Sequence, residues 1–489
     1  MNIRQRLGVL LAVAGWGLVL LALAATVYLW LARPVVTGYA AKHLCSGMWV
    51  SELPQDWLQQ QAIAPALQPA SSWLEYLVDE PQRSVSVSFL GYSQTARWAA
   101  GRGCTLLTDV DSELVAATSL QSASEVNLPS SEVGATGHQN ASRSMLPQGW
   151  VLDNSRLEAL LDAAFDEPLQ SQTTDGKSID HSPRNTLAIL VAHKGQLILE
   201  RYKAPVNANT PMLGWSMTKS LLASWIAVAN QQQPLNLLEQ PVDALWPSVG
   251  PEMTLEHLLR MQSGLAFEEW YQPTDDVTTM LYKTADMAAL VADQPLEAEP
   301  GSFWQYSSGD SNLAASVWVN AVAGDWHEWL QQYFWQPLGI DDATVESDMV
   351  GTPVASSYSY MSASSWLRVG QFWLDSWHGR VAEELPVATD WMTRTTTPTL
   401  QADGGYMYGM GFWLNRADPT LENEPERQLS KRFPDLPETV FWARGHDGQY
   451  VLVAPEQELV VVRLGLTPGM NDGMNTLVAG LLDALGASG

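Results

Sequence analysis

The stretch "GWSMTKSLLASWIAVAN", residues 214–230, decides how this chain is read. Apolar residues fall on nearly every helical face, so it predicts a buried helix. A lysine inside that run needs a reason, because an unpaired ammonium is costly to bury. Residues three apart on a helix share a face, which brings Ser216 at the helix start against Lys219. A serine hydroxyl is a weak nucleophile near neutral pH and needs a base within hydrogen-bond reach. A lysine withdrawn from water suits that task, and the helix start offers N–H groups to a developing oxyanion. A capping serine followed by an incidental lysine would give the same spacing, so the pair needs company.

Two further stretches supply it. "PGSFWQYSSGDSNLAA" puts Tyr306 and Ser308 just ahead of a helical run, about ninety residues after Ser216. "ARGHDGQYVLV" puts His446, Asp447 and Gly448 at the mouth of a strand. The order S-x-x-K, Y-x-S, H-x-G resembles the serine β-lactamase and penicillin-binding-protein superfamily. The likeness is to its class C-like branch, with its esterases, D-amino-acid peptidases and 6-aminohexanoate-dimer hydrolases. "MTLEHLLRMQSGLAFEEWY" is similar to that branch's helix-then-Ser-Gly segment. The resemblance covers roughly residues 150–489. "KHLCSGMWVSEL" and "GRGCTLL" look like a cysteine-bearing extension found on some exported members.

The resemblance implies roles. Ser216 would be acylated, Lys219 would accept its proton, and Tyr306 would relay a proton to the leaving group. Backbone N–H groups of Ser216 and Gln449 would form the oxyanion hole. Ser308, where many relatives carry Asn, would face the substrate with His446, Asp447, Gly448 and Tyr271. Tyr271 and Asp276 lie in "EEWYQPTDDVTTMLY", which resembles a substrate-facing loop of the nylon-oligomer hydrolases; a solvated acidic loop reads equally well. Relatives acting on β-lactams usually have Thr or Ser at position 447. An aspartate there would repel a substrate carboxylate unless Arg444 offsets it, which ranks amide or ester hydrolysis above β-lactamase or D-alanyl peptidase activity. A sensor that acylates without turnover is the alternative of another class.

The rest of the chain frames this centre. Its 489 residues are 46% apolar and 16% charged, which suits an ordered protein with a sizeable core. A formal charge of −27 argues against nucleic acid and against a polybasic membrane-surface role. No cluster has metal-ligand spacing, no phosphate-cradling loop follows a strand, and no cofactor is implied. The expected partner is a small or peptide-like amide or ester. The sequence is silent on oligomeric state.

Residues 7–32 are 26 uncharged, mostly apolar positions, enough to span a bilayer. Ala22-Leu23-Ala24 resembles a signal cleavage site, yet the apolar run continues past it, which favours an uncleaved anchor. Arg4 and Arg6 favour a cytoplasmic tail at residues 1–6, but Arg33 and Lys42 on the far side bring the charge rule nearly to a tie; with the two cysteines, the reading places the bulk of the chain outside an inner membrane, in a periplasm-like space. Cys45 and Cys104 are the only cysteines. An even pair in an exported segment reads as one disulfide, with two buried thiols as the alternative.

The remaining divisions follow texture. "SVSVSFLGY" alternates Val85, Val87 and Phe89, a half-buried strand inside a small β-containing extension at 44–116. Residues 117–148 read as a linker, and 149–489 as the hydrolase domain. "TLAILVAHKGQLILERY" predicts a hairpin turning at Lys194-Gly195, and Thr254 caps a helix running to Ser263-Gly264. Residues 246–400 read as a helical subdomain, "GQYVLVAPEQELVVVRLG" as two strands, and "MNTLVAGLLDALG" as a closing helix. Strands at both ends around inserted helices predict an α+β fold, an antiparallel sheet flanked by helices.

Overall fold

The computed structural model of the chain describes residues 3–108, 154–166, 184–232, 236–322, 324–400, 404–421, 425–469 and 472–486. The expected linker at 117–148 lies outside the described residues.

Helix α1 runs unbroken from Ile3 to Trp49, well past the expected stop near residue 32. Pro34 lies inside it and donates no N–H to the turn before. The carbonyl that would lose its partner, Trp30 O, instead accepts from Arg33 Nε at 3.1 Å. That local repair lets the helix pass through the proline. The two halves of α1 meet different surroundings. Residues 14–28 are exposed, with Trp16, Leu18 and Leu21 more than 65% accessible, whereas Ala40, Ala41 and Leu44 are fully buried. The helix is long and apolar enough to cross a membrane, by length and composition.

The buried half packs on a four-stranded antiparallel meander, β1 (Glu75–Asp79), β2 (Ser84–Phe89), β3 (Tyr92–Ala99) and β4 (Gly103–Leu107). The alternation read in the sequence holds, since Val85, Val87 and Phe89 all face inward and are at most 1% exposed. Cys45 of α1 is bonded to Cys104 of β4, with Cα atoms 6.1 Å apart. Beside them Glu346, from the following domain, pairs with Lys42 and accepts from Ser46 Oγ at 2.8 Å and Cys104 N at 2.6 Å. A carboxylate with three donors is a satisfied buried charge. It fastens the extension to the rest of the molecule.

Helix α2 (Asn154–Phe165) leads into β5 (Thr186–His193) and β6 (Gln196–Tyr202). Their turn is Lys194-Gly195, both at positive φ as a two-residue hairpin requires. Short β7 (Met212–Leu213) precedes α3 (Met217–Gln232) and joins a small sheet with β8 (Thr344–Val345) and β9 (Ser359–Met361). The helix capped by Thr254 is α4 (Leu255–Leu259), and its capping box is closed by His257. It ends sooner than expected because Met261 turns left-handed, at φ 59°. Then come α5 (Asp276–Lys283), α6 (Ser308–Ala321) and α7 (Ala363–Trp377).

The main sheet closes from the C-terminal end. Strands β10 (Trp413–Leu414), β11 (Phe441–Gly445), β12 (Gln449–Ala454) and β13 (Leu459–Gly465) join β5 and β6 in the antiparallel order β10-β11-β12-β13-β5-β6. Helices cover both faces. Val451, Val460 and Val462 share one core with α3 and α7. Ile189, Val191 and Val461 share the other with α2 and α8 (Met474–Gly486). The fold is the expected α+β arrangement, with the N-terminal helix and the small sheet added to it.

Candidate active site

Ser216 sits where β7 turns into α3. Trp215 takes the left-handed conformation, φ 50°, and the turn is closed by Met217 N donating to Gly214 O at 3.2 Å. Such a conformation costs energy for a bulky residue and persists only where its surroundings hold it. Two glycines show how tightly they do. A Cβ on Gly214 would lie 2.2 Å from the Trp366 ring, and one on Gly445 would lie 2.1 Å from Gly214 O. The end of β11 therefore presses directly against the serine turn.

One turn into α3, Lys219 is 3% exposed. Its Nζ donates to Ser216 Oγ at 3.1 Å, Ser308 Oγ at 3.1 Å and Ser356 O at 3.0 Å. The ammonium also lies 4.9 Å from the centre of the Tyr306 ring. It meets the face of that ring, within cation–π range. Tyr306 itself stacks on Trp413, ring centres 5.4 Å apart.

Behind Ser308 stands Glu269. It accepts from the Ser308 backbone N–H and from Ser308 Oγ at 2.7 Å, and Tyr271 donates to it at 3.4 Å. Burial raises the Glu269 carboxyl above its usual range, and the positive charge of Lys219 and the Ser308 hydrogen bonds partly offset this. The sequence reading passed over Glu269. Its signal was the acidic pair Glu268-Glu269 directly after the Ser-Gly segment.

The open cleft in front of Ser216 has a volume of about 510 Å³ and is lined by Ser216, Glu269, Tyr271, Tyr306, Trp413 and the Arg444–Gly448 turn. His446 points into it between Trp215, 5.3 Å away, and Tyr271, 6.4 Å away, ring centre to ring centre. Asp447 is left-handed at φ 57° and its carboxylate lies 3.3 Å from His446 Nε2. Burial raises the Asp447 carboxyl and His446 draws it back down.

Ser308 and Asp276 lie elsewhere than expected, Gln449 is not in the cleft lining, and Gly448 lies where expected. Ser308 is fully buried behind Lys219, is absent from the cleft lining, and bridges Lys219 to Glu269. Gln449, whose backbone N–H was the expected oxyanion donor, lines a neighbouring cavity and not the cleft. Its side chain is committed to the carbonyls of His446, Asp447 and Gly465, because the strand has already turned inward there. Gly448 does reach the cleft, but its missing side chain makes room for Arg463, whose Nη1 holds Gly448 O at 2.6 Å. Asp276 accepts from Glu268 N at 2.9 Å at the start of α5 and is not among the lining residues.

Comparison with known proteins agrees with this architecture. A family model described as Beta-lactamase matches residues 161–477. No curated protein matches the chain. A solved structure described as a 6-aminohexanoate-dimer hydrolase from Bacillus anthracis is similar at 18% identity and a TM-score of 0.50, covering 66% of this chain and 84% of that one. One described as a beta-lactamase from Bacteroides dorei gives 14% and 0.51, covering 69% and 100%. EstCE1, described as a hydrolase with promiscuous acyltransferase activity, gives 16% and 0.51, covering 68% and 98%. At such identities these structures speak for the fold alone.

Proposed function

We propose that this chain, which belongs to the beta-lactamase family, is a membrane-anchored serine hydrolase that cleaves an ester or amide through an acyl-enzyme on Ser216. The observation that carries the reading is the 3.1 Å contact between Lys219 Nζ and Ser216 Oγ beside an open cleft. Within the reading, Lys219 takes the Ser216 proton as Oγ bonds to the carbonyl carbon. The electron pair of the carbonyl moves onto its oxygen, held by the N–H groups of Ser216 and of His446, which takes the place first given to Gln449. Collapse of that intermediate breaks the bond to the leaving group, which receives its proton by way of Tyr306. Water then repeats the sequence on the acyl-enzyme and restores the serine.

Glu269 and Ser308 act as positioning residues that hold the Lys219 amine on Ser216. Residues 7–32 form the anchor, and the catalytic domain faces a periplasm-like compartment. Turnover is favoured over silent acylation because the cleft in front of Ser216 is open and admits water to the ester.

The test is a fluorophosphonate probe followed by mass spectrometry, together with p-nitrophenyl ester hydrolysis. The adduct should map to Ser216, Ser216→Ala should abolish both signals, and Lys219→Ala should lose about as much, since nucleophile and base act as a unit. Undiminished hydrolysis by Ser216→Ala would remove the proposal.

A further inference from the structure

A second cavity, of about 70 Å³, lies between the N-terminal extension and the hydrolase domain. Tyr39, His43 and Trp57 line it from one side, and Met212, Trp215 and Leu466 from the other. Half of its wall thus comes from residues outside the span matched by the family model. It abuts the reaction centre in two ways. Trp215 is the immediate neighbour of Ser216, and Asp447 lines both this cavity and the open cleft.

His43 gives the cavity its chemistry. The residue is 8% exposed, and its Nε2 is buried with no hydrogen-bond partner in the protein. The ring is wedged between Tyr39 and Trp215, at 4.2 and 4.8 Å between ring centres. Burial, and then the nearby Lys42, hold it well below the usual histidine range, so it is neutral and carries one donor and one acceptor. The Tyr360 hydroxyl in the same wall is likewise buried without a partner. Buried polar atoms left unpaired are costly, so a largely apolar pocket with these two is shaped for a ligand that is apolar with one or two polar groups.

We propose that this cavity is a subsite for the acyl part of the substrate, taking a short aliphatic chain of about three or four carbons with one hydrogen-bonding atom facing His43. The assignment rests on the acyl-enzyme reading for its direction, because the group bonded to Ser216 is the one that lies beside Trp215. The size follows from the volume, roughly half of the 150 Å³ that accepts a benzene ring. The N-terminal extension would then be a specificity element as well as the link to the anchor.

Two measurements on the full chain in detergent test this. In a series of p-nitrophenyl esters, kcat/KM should rise roughly fourfold per methylene from acetate to butyrate, as burial of each CH2 implies, and fall by octanoate. Ala62→Phe, which fills the cavity from the extension side, should lower the butyrate-to-acetate ratio about 15-fold, the same two methylenes. A flat series in an active wild type, or an unchanged ratio in the variant, overturns the subsite and leaves the hydrolase reading intact. The second measurement needs no activity. The 19F line of 4,4,4-trifluorobutyramide should broaden with Ser216→Ala protein and not with Ser216→Ala/Ala62→Phe. Broadening with Ser216→Ala protein, where the wild type itself hydrolyses no ester, would support the pocket and reject the hydrolase; equal lines with the two variants would reject the pocket.

Discussion

Glu269 and Asp447 are the two carboxylates that meet the cleft, and they make opposite demands. Glu269 faces inward, to Ser308 and the charge of Lys219. Replacing it by Gln removes a charged acceptor, a loss of about 1.5–3 kcal/mol. We expect Glu269→Gln to lower kcat roughly 10- to 150-fold by steady-state assay, with the Ser216 probe adduct still forming. Asp447 lines the open cleft. A carboxylate near a substrate carboxylate costs about 1–4 kcal/mol at effective dielectrics between water and a protein surface, one to three decades in rate. Because burial raises Asp447, it takes up its proton sooner than an exposed aspartate as pH falls. The ratio of kcat/KM for a carboxylate-bearing β-lactam to that for a neutral ester should therefore climb on acidification. Asp447→Asn, which tolerates the left-handed φ of 57° better than a β-branched residue would, should raise that ratio at neutral pH and flatten its pH dependence.

Helix α1 is both the apolar segment and, in its buried half, a packing partner of the small sheet and the residues beyond it. The Lys42–Glu346 pair that docks it is buried on both sides, at 3% and 0% side-chain exposure. Removing one partner of such a pair leaves an uncompensated charge and costs about 3–5 kcal/mol. Glu346→Ala should therefore lower the unfolding midpoint sharply. Lys42→Met/Glu346→Leu should recover part of the loss, leaving only the Ser46 and Cys104 donors unmet. The Cys45–Cys104 bond staples the same helix to β4. Thiol labelling of the unfolded, unreduced chain should find no reactive cysteine, and two labelled cysteines would contradict the bond.

The molecule as a whole stores acid-side stability in two carboxyls that the chemistry does not use. Asp310, bonded to Ser263, and Asp348, which accepts from Met287 N, are both raised to about 7, chiefly by burial. In the unfolded chain each returns to about 3.9. Between those values the folded state binds more protons than the unfolded one, so stability is full below about pH 4 and falls as pH rises toward 7. Asp310→Asn/Asp348→Asn should remove that part of the slope in chemical-denaturation midpoints taken from pH 4 to 7. A slope unchanged from wild type would place the titration elsewhere.

What the sequence determined by itself was local or short in range. Helical spacing set Ser216 against Lys219, strand alternation faced Val85 and Val87 inward, and Lys194-Gly195 fixed a hairpin. Apolar length marked the first helix, though a proline near its expected end gave no hint that Arg33 would cap the freed carbonyl and let the helix continue. The three ordered motifs carried the family, and with it the sheet and its helices. Tertiary structure alone decided which groups meet around them. Glu269 lies fifty residues from Lys219 in the chain, and Ser308 is buried out of the cleft at the start of α6. Gln449 is one residue past the turn that reaches the cleft, and in a strand one residue reverses the direction of a side chain. His43 touches the neighbour of Ser216 only because the buried half of α1 packs against it. Periodicity fixes the faces of single elements, whereas the partners of a buried polar atom depend on how those faces are brought together.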